Sequence, residues 1–441
     1  MPYTEILAIL CILSFFVLLF VGVPVALTLA ISGFFFGWLG FGTGLFNLLP
    51  ARIYGVTANY TLIAIPLFVF MGVMLEKSRM ADELMEVIGH IAGGLRGGMG
   101  LGIVFVGMLM GATTGIVGAT IVTLGLLTLP TLLRRGYDKS LACGTICASG
   151  TLGQLIPPST VLILLADILG ESVGTLFAAA MMPGLVLTAI LGAYILIIGV
   201  VSPDKVPPIP LDERRALPTR VLIVKVLKVG LPPIALVIAV LGSIIGGIAA
   251  PTEAASMGAL GSILVAAIAG RLSRQTLIDT VYSTARITAM MFFILICSQV
   301  FALSFRGLGG ERLVHDAFSL VPGGATGLML FMIAIIFVLG FFIEWIEISY
   351  IVVPMFLPLM QAAGVDLVWA AVLIATILQT SFLTPPFGWA LFYLRGVAPP
   401  EVTTLDIYKG VIPFIGLQLL ALALVFTFPG VATWLPEAIG W

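Results

Sequence analysis

A chain of 441 residues that is 60% hydrophobic and 9% charged, with a mean hydropathy of +1.22, carries more apolar surface than a soluble core can hide, and this makes it an all-α polytopic membrane protein. The net charge of −1 says nothing of partners, the lack of a basic patch interleaved with aromatics argues against a nucleic-acid partner, and the apolar runs are too long for the alternating strands of an outer-membrane barrel. Cys11, Cys143, Cys147 and Cys297 lie in apolar stretches with no metal-ligand or disulfide spacing, and His90 and His315 fall in polar stretches, so a membrane-embedded hydrolase lacks its parts.

Residues 5–20 form the first apolar segment. It has no basic n-region and no small-residue cleavage site, so it reads as a membrane helix and not as a signal peptide. Gly22-Val23-Pro24 interrupts the chain, and residues 25–39 form the second span. Residues 41–59 read as a glycine-containing connection before a third span over 61–75. Residues 76–96 place Glu76, Lys77, Arg79, Asp82, Glu83 and Glu86 opposite Met80, Leu84, Val87 and Ile91, which predicts an amphipathic helix in the interface plane. Residues 97–133 would run about 55 Å if straight, against a hydrocarbon core of ~30 Å. They must tilt or break, and Gly111-Ala112-Thr113-Thr114-Gly115 is the predicted break.

The next apolar stretch, 141–169, is interrupted by Gly150-Thr151-Leu152-Gly153-Gln154-Leu155-Ile156-Pro157-Pro158-Ser159-Thr160. A Pro-Pro step cannot continue a helix, and backbone freed at membrane depth is tolerated only inside protein or against a cavity. Each arm is too short to span, so 138–169 is expected to be a re-entrant hairpin with its tip at 151–157. Residues 176–201 span again. Five prolines and alternating charge mark 202–220 as a linker between a first repeat, 1–201, and a second, 221–441. In the second, 221–245, 255–269 and 287–303 span, and Glu253 after Pro251 is expected to cap a helix start. Residues 306–319 are again amphipathic. Residues 328–360 form another over-long run, interrupted at Glu344-Trp345-Ile346-Glu347. A second hairpin is expected over 366–394, a last span over 412–428, and Trp434 and Trp441 suit an interfacial tail.

Gly136, Asp138, Ala142, Pro157 and Pro158 recur 228 positions later as Gly364, Asp366, Ala370, Pro385 and Pro386. Two prolyl breaks in matching places predict a duplicated fold with its site at the repeat interface. Five crossings per half is an odd number, so the second copy is expected to be inverted, with the hairpins entering from opposite faces. Helix ends at the tips would offer bare carbonyls to Na+, and helix starts bare amides to a carboxylate. Thr113, Thr114, Thr151, Gln154, Ser159, Thr160, Thr380, Ser381 and Thr384 are the side chains placed to complete a substrate shell; the alternative is that such hydroxyls back-bond to their own helices. Gly150, Gly153 and Gly388 would let backbone approach closely. Glu344 and Glu347 are either ion or proton ligands or the terminators of a half-helix. Fourteen of the twenty basic residues fall on one side of this topology, with Arg134, Arg135 and Lys139 as exceptions.

The runs Arg135-Gly136-Tyr137-Asp138-Lys139, Gly150-Thr151-Leu152-Gly153, Ile156-Pro157-Pro158-Ser159, Pro251-Thr252-Glu253-Ala254, Thr384-Pro385-Pro386-Phe387-Gly388 and Pro66-Leu67-Phe68 resemble the large membrane subunit of TRAP transporters, over nearly the whole chain. The resemblance implies an elevator-type, Na+-driven importer of organic acids in the bacterial inner membrane. It also implies a small four-helix membrane subunit and a periplasmic binding protein as partners, and Na+ sites that transfer by motif to Gly150, Gly153, Pro157, Thr380, Thr384 and Pro386. The chain departs from the family at Gly111–Gly115, where many members have Gly-Ser-Ser, and at Glu344 and Glu347, where many have a lone aspartate. The glutamate pair is similar to the branch associated with 2-oxo acids and other monocarboxylates. A stand-alone ion-coupled carboxylate carrier is the alternative reading.

Overall fold

The computed structural model describes residues 3–211, 218–319 and 321–441, and the described residues are helical with no strand. The first half contains α1 (Tyr3–Phe20), α2 (Val25–Phe41), α3 (Gly44–Thr57), α4 (Ala64–Lys77), α5 (Met80–Ala92), α6 (Gly98–Thr114), α7 (Val117–Arg134), α8 (Lys139–Thr151), α9 (Thr160–Leu169) and α10 (Val173–Val201). The second contains α11 (Leu231–Ile245), entered through a helical turn Thr219–Lys225 and a π-helical turn Val226–Gly230. There follow α12 (Pro251–Ile268), α13 (Arg274–Gly307), α14 (Gly310–Ser319), α15 (Gly324–Leu339), α16 (Trp345–Ala362), α17 (Leu367–Leu383), α18 (Trp389–Val397), α19 (Thr404–Thr427) and α20 (Gly430–Ala438). Among the described residues eight helices are long and apolar enough to cross a membrane, and α3 with α4 passes the same test as a pair bent by 53°.

The expected elements form with three differences. Residues 41–59 are not a connection: Leu45 and Leu49 pack at helical spacing against Val300, so α3 forms despite its glycines. Part of the linker is ordered, but its residues 212–217 lie outside the described residues. Glu253 does cap α12, accepting the Ala250 amide at 2.9 Å.

The third difference concerns the hairpins. The Asp138 amide donates to Lys205 O at 2.9 Å and the Gly97 amide to Val206 O at 3.2 Å. The start of α6, the end of α7 and the start of α8 therefore share the face that carries the linker. The long run α6–α7 leaves this linker face and returns to it. α10 starts four residues after α9 ends and its 29 residues run back to the linker, which puts the end of α9 on the opposite face. The expected hairpin over 138–169 is thus a broken crossing, and α6–α7 is the hairpin.

The second half repeats the correction. Lys139 Nζ donates to Glu401 O at 2.9 Å, so α19 starts on the linker face. The Trp369 indole donates to Val425 O at 2.9 Å, so α17 starts on the opposite face. Hence 366–394 is a broken crossing as well. The second hairpin is α15–α16, held to the end of α13 by Arg306 Nη2 donating to Pro354 O at 3.3 Å. In the first half the arm lengths accord with this. Two arms of 13 and 10 residues add up to about 35 Å of helix, enough for one crossing, whereas two arms of 17 and 18 residues suffice to enter and return.

Candidate functional site

Four unwound segments interrupt the helices at membrane depth, and they meet in two pairs. At the tip of the first hairpin, Gly115 ends α6 with a φ of +61°, a conformation that costs glycine little. Its carbonyl accepts the Thr160 hydroxyl at 3.3 Å from the first prolyl break. Just before the tip, a Cβ on either Gly111 or Gly153 would stand 2.6 Å from the other's Cα, so backbone rests on backbone there. In the second pair, a Cβ on Gly340 at the tip of α15 would lie 2.6 Å from Ser381 Cβ. Phe342 at that tip packs on Phe387 of the second prolyl break, with ring centroids 5.6 Å apart.

Each pair joins helix ends of both kinds. α6 and α15 end there, as do α8, through a 3-10 turn Leu152–Gln154, and α17. α7, α9, α16 and α18 begin there, at Ile116, Ser159, Glu344 and Gly388, and none of these residues makes a side-chain cap bond to its helix. Free amides and the positive end of the helix dipole suit an anion; free carbonyls suit a hard cation.

The sequence-predicted hydroxyls mostly bond to their own helices. Thr113 donates to Met110 O at 2.9 Å, Thr151 to Ala148 O at 2.9 Å, Thr380 to Thr376 O at 2.9 Å, Ser381 to Leu378 O at 2.8 Å and Thr384 to Thr380 O at 2.8 Å. Ser159 closes its own loop onto Gln154 O at 2.6 Å. Each keeps acceptor lone pairs, but only Thr160 crosses to a hairpin tip. The Thr114 side chain lies outside the described residues. Gly150 is close-packed against Ile121 of α7 and does not face the tip of the first hairpin. Pro157 is buried and Pro386 exposed, the latter's carbonyl accepting the Tyr408 hydroxyl at 2.9 Å. Glu347 is 1% exposed with one carboxyl oxygen unpartnered, in the first turn of α16, three residues after Glu344.

Three groups were not singled out from sequence. Gln379 and Gln418 are fully buried; both polar atoms of Gln379 lack partners, as do those of the expected Gln154, and Gln418 Nε2 donates to Thr151 Oγ1 at 3.1 Å. Gln379 stands 228 positions after Thr151, a signal the repeat offered. Asp167, near the end of α9, accepts from Asn59 Nδ2 at the corner between α3 and α4 and from the Tyr350 hydroxyl of α16 at 3.1 Å. Among the described residues no cluster of His, Cys, Asp and Glu could hold a metal ion, and all four cysteines are free and buried.

Among solved structures, the chain has a TM-score of 0.62 to the YdaH transporter of Alcanivorax borkumensis, at 14% identity over 90% of this chain and 89% of that one. It has a TM-score of 0.57 to MtrF of Neisseria gonorrhoeae, at 15% identity over 87% and 84%. These likenesses concern the fold. In sequence it is 30% identical to the ectoine TRAP transporter large permease protein TeaC of Halomonas elongata, over 95% of this chain and 96% of that one. It is 28% identical to the C4-dicarboxylate TRAP transporter large permease protein DctM of Vibrio cholerae, over 96% of each, and 27% identical to the sialic acid TRAP transporter large permease protein SiaM of the same organism, over 95% and 96%. The model of the tripartite ATP-independent periplasmic transporter, DctM component, matches residues 12–431. The chain belongs to that family, and is a multi-pass membrane transporter subunit and not an enzyme.

Proposed function

We propose that this chain is the transport subunit of a secondary active importer that moves a small organic acid across the inner membrane together with Na+, receives its substrate from a periplasmic binding protein, and works with a small four-helix membrane subunit. The observation that carries the reading is the pairing of each hairpin tip with a prolyl break, at Gly111–Gly153 and at Gly340–Ser381. Each pair supplies helix-end carbonyls for Na+ beside helix-start amides for a carboxylate. A carboxylate brought alone to mid-membrane would be prohibitive in energy; a co-transported cation offsets it. The named relatives carry dicarboxylate, sialic acid and ectoine, all of which bear a carboxylate.

The halves correspond at a spacing of 228 residues, from α1 with α11 to α10 with α19, with the bent pair α3–α4 matching the single helix α13. The first begins opposite the linker face and the second on it, which supports an inverted repeat and alternating access by sliding of the hairpin-bearing bundle. With α6–α7 as the hairpin, Arg134, Arg135 and Lys139 join the other described basic residues on the linker face, and among the described residues Arg52, Arg306 and Arg312 lie elsewhere. The linker face is then cytoplasmic.

The test is uptake into proteoliposomes holding this chain with its small subunit, with the cognate binding protein supplied. Substrate accumulation that follows an imposed Na+ gradient is the expected result. Uptake indifferent to that gradient would remove Na+ coupling, and uptake undiminished without the binding protein would favour a stand-alone carrier.

A further inference from the structure

Between the second hairpin and its surroundings lies a crevice of about 350 Å³, open on one side, and every side chain lining it is apolar. Its walls are α1 (Ile9, Ile12), the end of α13 (Phe305), the amphipathic helix α14 (Val314) and the hairpin itself (Ile335, Val352). Among the described residues, the corresponding elements of the first half, α11, the end of α4, α5 and α6, line a pocket of about 20 Å³ beside Leu75, Leu84, Leu109 and Pro233.

A space of this size cannot stay empty in a bilayer. Its lining would forfeit dispersion contacts on one side, and water would find no polar partner inside. The surrounding solvent is hydrocarbon, so the fitting occupant is an acyl chain. The rim narrows the choice of lipid. Arg306 pairs with Glu311 at 3.4 Å, next to lining residue Phe305, and Arg312 with Glu5 at 3.3 Å, one turn beyond Ile9. Among the described residues, Arg306 and Arg312 are two of the three Lys and Arg side chains away from the linker face. A rim of two guanidinium groups and two carboxylates complements a headgroup that carries both charges.

We propose that the acyl chain of a zwitterionic phospholipid occupies the crevice between α1, α13, α14 and the second hairpin, with its headgroup against the Arg306–Glu311 and Arg312–Glu5 pairs. The lipid fills a space that the surrounding side chains leave open. It rests on the membrane placement of the chain alone, so it stands whether or not the coupling ion is Na+.

The test uses the complex with its small subunit, purified in mild detergent. Native mass spectrometry should find one more retained phosphatidylethanolamine in the wild type than in Ile12→Trp or Ile335→Trp, which fill the crevice. Adding phosphatidylethanolamine should raise the Tm of the wild type by about 3 °C, and that of neither variant; phosphatidylglycerol should do less. Leu264→Trp, on the exposed face of α12, should behave as wild type. As a readout independent of variant folding, phosphatidylethanolamine with a photoreactive acyl tail should label α1 and α15 of the wild type. Equal lipid retention in all proteins, equal response to both lipids, labelling confined to the outer face of α12, or cross-links from Ile335 to the small subunit would each overturn the proposal.

Discussion

Around Pro157 every residue from Thr151 to Thr160 is buried; around Pro385 the chain reaches the surface at Pro386 and at Phe387, which is 47% exposed. The two breaks share the same proline pair and the same kind of helix ends, and they differ in what lies over them. The first is covered by backbone at Gly111, by Ile121 against Gly150 and by Gln418 against Thr151. The second meets its hairpin tip through Gly340 and Ser381, takes a bond from the Tyr408 hydroxyl at Pro386 O, and is bordered by a row of rings, Phe20, Phe342 and Phe387. Duplicated chemistry is thus paired with unequal cover. That is the condition a transporter needs if a cradle is to be shut toward one solvent while its twin is loosened toward the other.

The comparison breaks hardest at the glycines. Gly153→Ala places a methyl group on the Gly111 backbone, and no side chain can yield. Overpacking of this kind costs about 1–3 kcal/mol, so uptake should fall by roughly tenfold or more. Gly340→Ala meets a Ser381 side chain instead, and Gly340→Ala with Ser381→Gly should recover much of the loss. Uptake by the single and paired variants measures this. Rescue of Gly153→Ala by any single side-chain truncation in α6 would mean that the first contact is no tighter than the second.

Next comes charge. The second hairpin carries Glu344 and Glu347 where the first has Ile116 and Ala119, 228 positions earlier. Glu347 is buried with an unpartnered oxygen. If it serves the coupling ion, Glu347→Gln should lower uptake about tenfold, the equivalent of ~1.4 kcal/mol, and shift its dependence on Na+ or on pH. A fall in uptake with both dependences unchanged would leave Glu347 a helix-terminating residue. The corresponding first-hairpin change, Ala119→Ser, should leave them unmoved.

Exposure itself is measured by thiol labelling. The natural cysteines are buried, so background should be low. Phe387→Cys should react several-fold faster than Ile156→Cys with a water-soluble maleimide, and a saturating substrate should narrow the gap. Equal rates would mean the unequal cover does not persist in the membrane.

Much of this was readable from the chain. The interruptions at 111–115, 151–160, 344–347 and 383–388 are visible as glycine, proline and carboxylate in apolar runs, and the amphipathic helices α5 and α14 as charge opposite spaced Met, Leu and Val. What the chain did not decide is which interrupted run turns back. Helix length is the same whether two arms are collinear or folded together, and the deciding contacts, Asp138 with Lys205 and Trp369 with Val425, join residues far apart in sequence. The same limit hid Gln418, a lone amide in an apolar span, and Asp167, whose partners Asn59 and Tyr350 come from opposite halves. Sequence also gave no sign that α3 and α4 bend by 53° while their counterpart α13 is one helix of 34 residues.

The smallest effect separates a bond that joins two breaks from bonds that stay within one. Thr160 donates to Gly115 across the first pair, whereas Thr384 donates to Thr380 in its own helix. Valine keeps the shape and removes the hydroxyl. Thr160→Val leaves a buried carbonyl at the hairpin tip without its partner, a cost of about 1–3 kcal/mol. Thr384→Val breaks a part-buried bond within its own helix, where solvent is nearer to the freed carbonyl, so its cost should be about 0.5 kcal/mol. Thermal unfolding of the two variants in the same detergent should therefore separate them, with Thr160→Val the less stable, and uptake should follow that order. If Thr384→Val proves the more damaging and its Na+ dependence shifts, the hydroxyl lone pairs at the second break bind the ion directly. The looser of the two cradles would then be the one where coupling is set.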